Sequence, residues 1–176
     1  MSRILRALAA LAYLATVVGA NWLTARYGFV PVGFGHAATA GTFAAALALV
    51  ARDAVQDTAG RLGVVACLAV GAALSWWLST PALAVASGVA FALSELADMA
   101  IYTPLRRRGY VRAAVASNLV GSIVDTFAFL WLAGFGLTPA VITGQIIGKT
   151  WATAAVVGVV VIARALHGHG VRAKGA

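Results

Sequence analysis

Long apolar runs, each ended by a short stretch rich in polar residues, glycine or proline, set the pattern of this chain from Ile4 to Ala163. A helix needs about 20 predominantly apolar residues to cross a hydrocarbon core of about 30 Å. Six runs approach that length, at about 4–24, 34–50, 62–79, 81–102, 113–133 and 139–163. The connectors carry breakers, as in Gly28 to Gly35, Ser79-Thr80-Pro81 and Gly134 to Pro139, which favour turns over continued helix. The expectation is an all-α integral membrane protein: one domain over residues 1–176, with six transmembrane helices.

Composition agrees with that pattern. The chain is 62% hydrophobic and only 10% charged, with a mean hydropathy of +0.93, whereas a soluble domain carries about 25% charged residues. Its net charge of +8 does not point to nucleic acid, because the basic residues fall between apolar runs. Placing the amino terminus in the cytoplasm puts eleven of the 13 Lys and Arg on the inside, with Arg26 outside and Lys149 within the last helix. That asymmetry is the positive-inside signature, so the expected location is the cell (inner) membrane, multi-pass, with both termini cytoplasmic. Arg3 and Arg6 ahead of a run ending Val18-Gly19-Ala20 also resemble a cleaved signal peptide. That run is long for one and Asn21 continues it, so retention is expected. Cys67 is the single cysteine, which excludes an intrachain disulfide.

Polar residues inside the runs carry the chemistry. Glu95, Asp98 and Tyr102 are spaced i, i+3, i+7 on the fourth run; Asn118, Ser122, Asp125 and Phe129 share a face of the fifth; Gln145 and Lys149 are at i, i+4 on the sixth. At about 1.5 Å per residue, Asp125 lies about 18 Å from the cytoplasmic start of its helix and Lys149 about 15 Å from the outer start of its own. These two form the obvious pair near the midplane, either fixing helix register or serving a ligand. Charges at such depth cost about 2.5 to 3.5 kcal/mol each on insertion scales. Three carboxylates, Glu95, Asp98 and Asp125, outnumber the one cation. The remainder calls for a proton, a donor-rich ligand or an arginine reaching up from a loop.

The stretch ARDAVQDTAGR adds Arg52, Asp53, Gln56, Asp57 and Arg61, readable as a solvated helix end or as part of the same site. Small residues recur at packing distance, as in Gly41, Ala44, Ala45 and Ala48, and in Gly144 with Gly148. There is no HExxH, CxxC, GxSxG or phosphate loop, and the serines lack a nearby histidine. His36, His167 and His169 lack the partners of a metal site. No enzyme activity, cofactor or metal is expected.

The stretches GTFAAALALVARDAVQD, ALSELADMAIYTPLRRRG, SNLVGSIVDTFAFLWLAGFG and TGQIIGKTWAT resemble the succession of motifs in the VUT family of queuosine precursor transporters. The likeness runs in order from Asn21 to Trp151 and is most specific at the fourth and fifth runs, where a carboxylate, an aromatic and a basic loop are followed by the N-x-x-G-x-x-x-D-T/S pattern. It implies a six-helix fold similar to the substrate-binding subunits of energy-coupling-factor vitamin transporters, and uptake of deazaguanine bases for transfer RNA modification. Carried over by position, it implies a pocket of Asp53, Gln56, Glu95, Asp98, Asn118, Asp125, Gln145 and Lys149, to which the shared face adds Tyr102. The chain departs from the pattern in its minimal loops and in Arg52 directly before Asp53.

The chemistry suits such a base. A guanine-like edge presents a ring N–H beside an amino group, two donors for one carboxylate, and its carbonyl and ring nitrogen accept from lysine, asparagine or glutamine. Charge-assisted bonds of this kind are about twice as strong as neutral ones. Tyr102, Phe127, Phe129, Trp131 and Trp151 are candidates for stacking on the ring, with lipid-facing or interfacial placement as the competing reading for Trp131. The alternatives are a transporter or binding subunit for another heterocycle or vitamin, or a non-transporting accessory membrane subunit. Besides lipid and a small purine-like solute, a homodimer partner or a separate energising module is left open.

Overall fold

A chain in hydrocarbon must satisfy every backbone N–H and C=O internally, so helix is the default, and irregular backbone survives at depth only against other protein or a cavity. The computed structural model describes residues 3–173, except some helix side chains, among them Asp53, Asn118 and those from 160 onward. In order it forms α1 (Arg3–Tyr27), β1 (Phe29–Gly33), β2 (His36–Thr39), α2 (Thr42–Leu78), α3 (Pro81–Leu105), a 3-10 turn at Arg106–Arg108, α4 (Tyr110–Leu132) and α5 (Pro139–Ala173). Among the described residues, three helical stretches have the length and hydropathy to cross a membrane, Arg3–Tyr27, Ala54–Leu78 and Pro81–Leu105, and Leu119–Leu132 is a shorter apolar stretch. The fold is mostly helical, as the apolar pattern requires.

The second run departs from expectation at its start. Helix was expected from residue 34, but 29–39 form an antiparallel hairpin pairing Phe29 with Thr39 and Gly33 with His36, and α2 begins only at Thr42. The cause is local. Gly33-Phe34-Gly35 all have positive φ, at 96°, 54° and 74°, and Pro31 has no N–H to give a helix.

α2 is two legs. At Gly60 the backbone takes φ 71° and ψ −178°, a region open essentially to glycine alone, and the chain turns back. The contacts show the reversal. Along the first leg, Gly41 lies against Ala20 of α1 and Val55 packs with Tyr13. Along the second, Val64 returns to the Tyr13 cluster, Gly71 meets Val17, and Ser75 receives a hydrogen bond from Asn21 at 3.1 Å. The first leg therefore runs against α1 and the second alongside it.

Close approach fixes the hairpin. An added Cβ at Gly144 would stand 1.9 Å from the Ala37 carbonyl oxygen, and one at Gly148 would stand 3.1 Å from the Ala38 Cβ. The small-residue spacing on α5 thus receives the hairpin of the same chain. Asn21, 2% exposed, closes the α1–α2–α3 junction by accepting from Ser87 at 2.5 Å while donating to Ser75. α1 packs most extensively on α2, and α3 on α4; α2 also touches α3 and α5, whereas α4 and α5 meet over a small area.

Candidate functional site

Among the described residues, two ion pairs lie within the helical bundle. Arg52, about 15 Å along the first leg of α2 from Thr42, donates from Nη2 to Oε2 of Glu95 on α3. Lys149 of α5 donates from Nζ to Oδ2 of Asp125 at 2.7 Å, to Oγ1 of Thr126 at 2.8 Å and to the Ser122 carbonyl at 3.3 Å, all on α4. Sequence spacing pairs Asp125 with Lys149. It does not pair Glu95 with Arg52, which comes from a helix and not from a loop. The side chains remain partly open, Arg52 21%, Glu95 33%, Lys149 23% and Asp125 35% exposed.

Asp98 sits where α3 and α4 approach closely, an added Cβ at Gly121 standing 3.6 Å from its Cβ. Asp125 follows Gly121 by one turn on the same face of α4. Asp98, Tyr102 and Gln56 are each half-buried, and no hydrogen bond or ion pair joins them to another described residue. The side chains of Asp53 and Asn118 lie outside the described residues. Of the sequence-derived set, the structure brings Asp125 to Lys149 and turns Glu95 toward a different neighbour, Arg52.

Gln145 performs an identifiable task. Its amide nitrogen donates to Thr39 Oγ1 at 2.9 Å and its oxygen accepts from Thr42 Oγ1 at 2.5 Å, while the two threonine hydroxyls lie 3.0 Å apart. This buried triangle ties α5 to the end of the hairpin and the start of α2, one turn from Lys149. Trp151 reinforces it by donating from Nε1 to the Val32 carbonyl at 3.1 Å. The other aromatic candidates are placed elsewhere: Phe129 lies 6.0 Å from Phe135, which in turn meets Phe29 edge-on at 5.2 Å, and Trp131 is 70% exposed. An open groove of about 550 Å³ between the second leg of α2 and α3 is apolar, lined by residues such as Trp76, Trp77, Val85 and Gly88. Among the described residues no three His, Cys, Asp or Glu side chains are grouped to hold a metal ion.

Sequence reasoning missed Thr39 and Thr42, whose partner is more than a hundred residues away, and Tyr13, whose side chain is 1% exposed between α1 and α2. Asn21 carried a signal, as a lone amide in an apolar run. Arg52 carried one too, as the residue out of pattern.

These elements define a multi-pass helical membrane protein with paired charges in its interior. The chain belongs to the family described as "Putative vitamin uptake transporter", whose profile matches residues 7–163. It is accordingly a membrane-embedded uptake transporter for a small molecule. No curated protein and no solved structure gives a match.

Proposed function

We propose that this transporter takes up a queuosine precursor, a deazaguanine base, and binds it in an intramembrane polar pocket drawn from Asp53, Gln56, Glu95, Asp98, Tyr102, Asn118, Asp125, Gln145 and Lys149. The fold is then a single six-helix domain in the inner membrane, both termini cytoplasmic, with the two legs of α2 serving as the second and third spans. One observation carries the reading: charged pairs at depth, Arg52 with Glu95 and Lys149 with Asp125, keep between 21% and 35% of their side-chain surface open. Sealing such a pair costs desolvation that its attraction does not always repay, so partial openness keeps both groups solvated. A pair left open has carboxylate lone pairs to offer, and two adjacent donors on a base are a matched partner for them. Gln145 positions the hairpin that bounds the pocket.

The test is uptake in cells unable to make the base. Asp125→Asn and Glu95→Gln are each expected to abolish uptake while the protein still inserts. Normal uptake by both variants would overturn the pocket.

A further inference from the structure

Tyr13 carries a polar group that the pocket described above does not use. Its side chain is 1% exposed, packed with Ala9, Val55 and Val64 and flanked by Ala51, Cys67 and Phe91. Its hydroxyl is buried and has no hydrogen-bond partner. A phenylalanine would fill the same space without stranding a donor, and a stranded hydroxyl costs free energy that a partner would return. Ala51, which precedes Arg52, and Phe91, one turn before Glu95, pack against the same cluster, so the Arg52–Glu95 pair borders Tyr13. An acceptor carboxylate, a planar donor fork and a hydroxyl thus gather at the junction of α1, α2 and α3.

We infer that Tyr13, Arg52 and Glu95 form a recognition subsite for the lactam edge of the base, with Tyr13 and Arg52 donating to its carbonyl and Glu95 accepting from its ring N–H and amino group. This rests on the substrate reading above. In the structure Arg52 donates to the Glu95 carboxylate. An entering base takes over acceptor positions on Glu95 and gives Arg52 and Tyr13 a carbonyl in exchange, so the site never holds an uncompensated charge. The hydroxyl, sealed while the pair is closed, acquires its partner at the same step. An edge with a carbonyl and two donors satisfies all three side chains. A base lacking the amino group leaves one acceptor position on Glu95 unused, and an amino-purine in place of the oxo form presents no carbonyl to Tyr13. Sites that leave buried polar groups unpaired discriminate strongly.

The experiment is calorimetric binding of 7-deazaguanine, 7-deazahypoxanthine and 7-deazaadenine to the purified full chain in detergent, wild type against Tyr13→Phe, with the melting temperature of each empty protein. Wild type is expected to bind the three in that order of decreasing affinity. Tyr13→Phe is expected to lose about five- to tenfold for 7-deazaguanine, to lose nothing for 7-deazaadenine, and to melt at the same temperature or higher when empty. Equal losses for both bases, an unchanged affinity for 7-deazaguanine, or a lower melting temperature would each overturn the subsite. Failure of the wild type to bind any of the three removes the substrate reading and the subsite with it. Binding by the wild type with an indifferent Tyr13→Phe removes the subsite alone.

Discussion

Replacing Lys149 by methionine keeps most of the side-chain volume and removes three hydrogen bonds, to Asp125 at 2.7 Å, Thr126 at 2.8 Å and the Ser122 carbonyl at 3.3 Å. The larger effect is on what remains. Asp125 is left without its cation, and breaking a buried pair from one side costs about 3 to 5 kcal/mol. Lys149 is 23% and Asp125 35% exposed, so screening reduces this to about 2 kcal/mol. Asp125→Leu alone leaves the ammonium its two other acceptors but no counter-charge, which after the same screening puts its cost also at about 2 kcal/mol. The double variant Lys149→Met with Asp125→Leu removes both charges together. Apolar replacement of a buried pair is often neutral or better, so it should lie within about 1 kcal/mol of wild type.

The assay is unfolding in detergent titrated with dodecyl sulfate, followed by helical circular dichroism, with base uptake measured on the same variants. Stability of the double variant equal to the sum of the single losses would refute the coupling, because independent sites add. Uptake separates the two roles of the pair. A helix clasp alone would let the stable double variant transport normally, whereas a pocket wall predicts a folded protein that transports nothing.

Two further substitutions test the backbone. Gly60→Ala forces a side chain into φ 71° and ψ −178°, at a cost of about 1 to 3 kcal/mol, read as an earlier midpoint in the same titration; an unchanged midpoint would mean the turn is not at Gly60. Gly144→Val would put its Cβ 1.9 Å from the Ala37 carbonyl oxygen, an overpacking worth about 1 to 3 kcal/mol. It should free the hairpin for chymotrypsin cleavage at Phe34, and resistance equal to wild type would show that the hairpin does not rest on α5.

What the sequence made legible is what depends on local pattern. The apolar runs, the breakers between α3 and its neighbours, and the pairing of Asp125 with Lys149 follow from counting residues at 1.5 Å and 3.6 per turn. The hairpin was illegible because Ala37 to Gly41 continues smoothly in hydropathy into the helix at Thr42. Hydropathy does not register the φ imposed by Gly33-Phe34-Gly35. The Glu95–Arg52 pair was illegible for another reason. Its partners are 43 residues apart and meet only because the first leg of α2 continues as helix through Arg52, where a cluster of charges suggests a solvated end. Tyr13 gave no signal because a tyrosine in an apolar run reads equally well as packing.

The seams of this fold differ in what holds them. α1 meets the start of α2 through backbone, with Gly41 against the Ala20 carbonyl, and the hairpin meets α5 through Gly144 against Ala37. Such contacts are dispersion at short range, and a polar solute entering them would lose the packing and gain nothing. At the Arg52–Glu95 pair between α2 and α3, and at the small contact of α4 with α5 closed by Lys149 and Asp125, the holding groups are charges. Their attraction is exchangeable, because a solute bearing donors and acceptors can replace each half of a pair with a bond of similar strength. On the proposed reading of these pairs as the pocket, the cost of parting those two seams falls when a matching solute binds, whereas the glycine seams are indifferent to it.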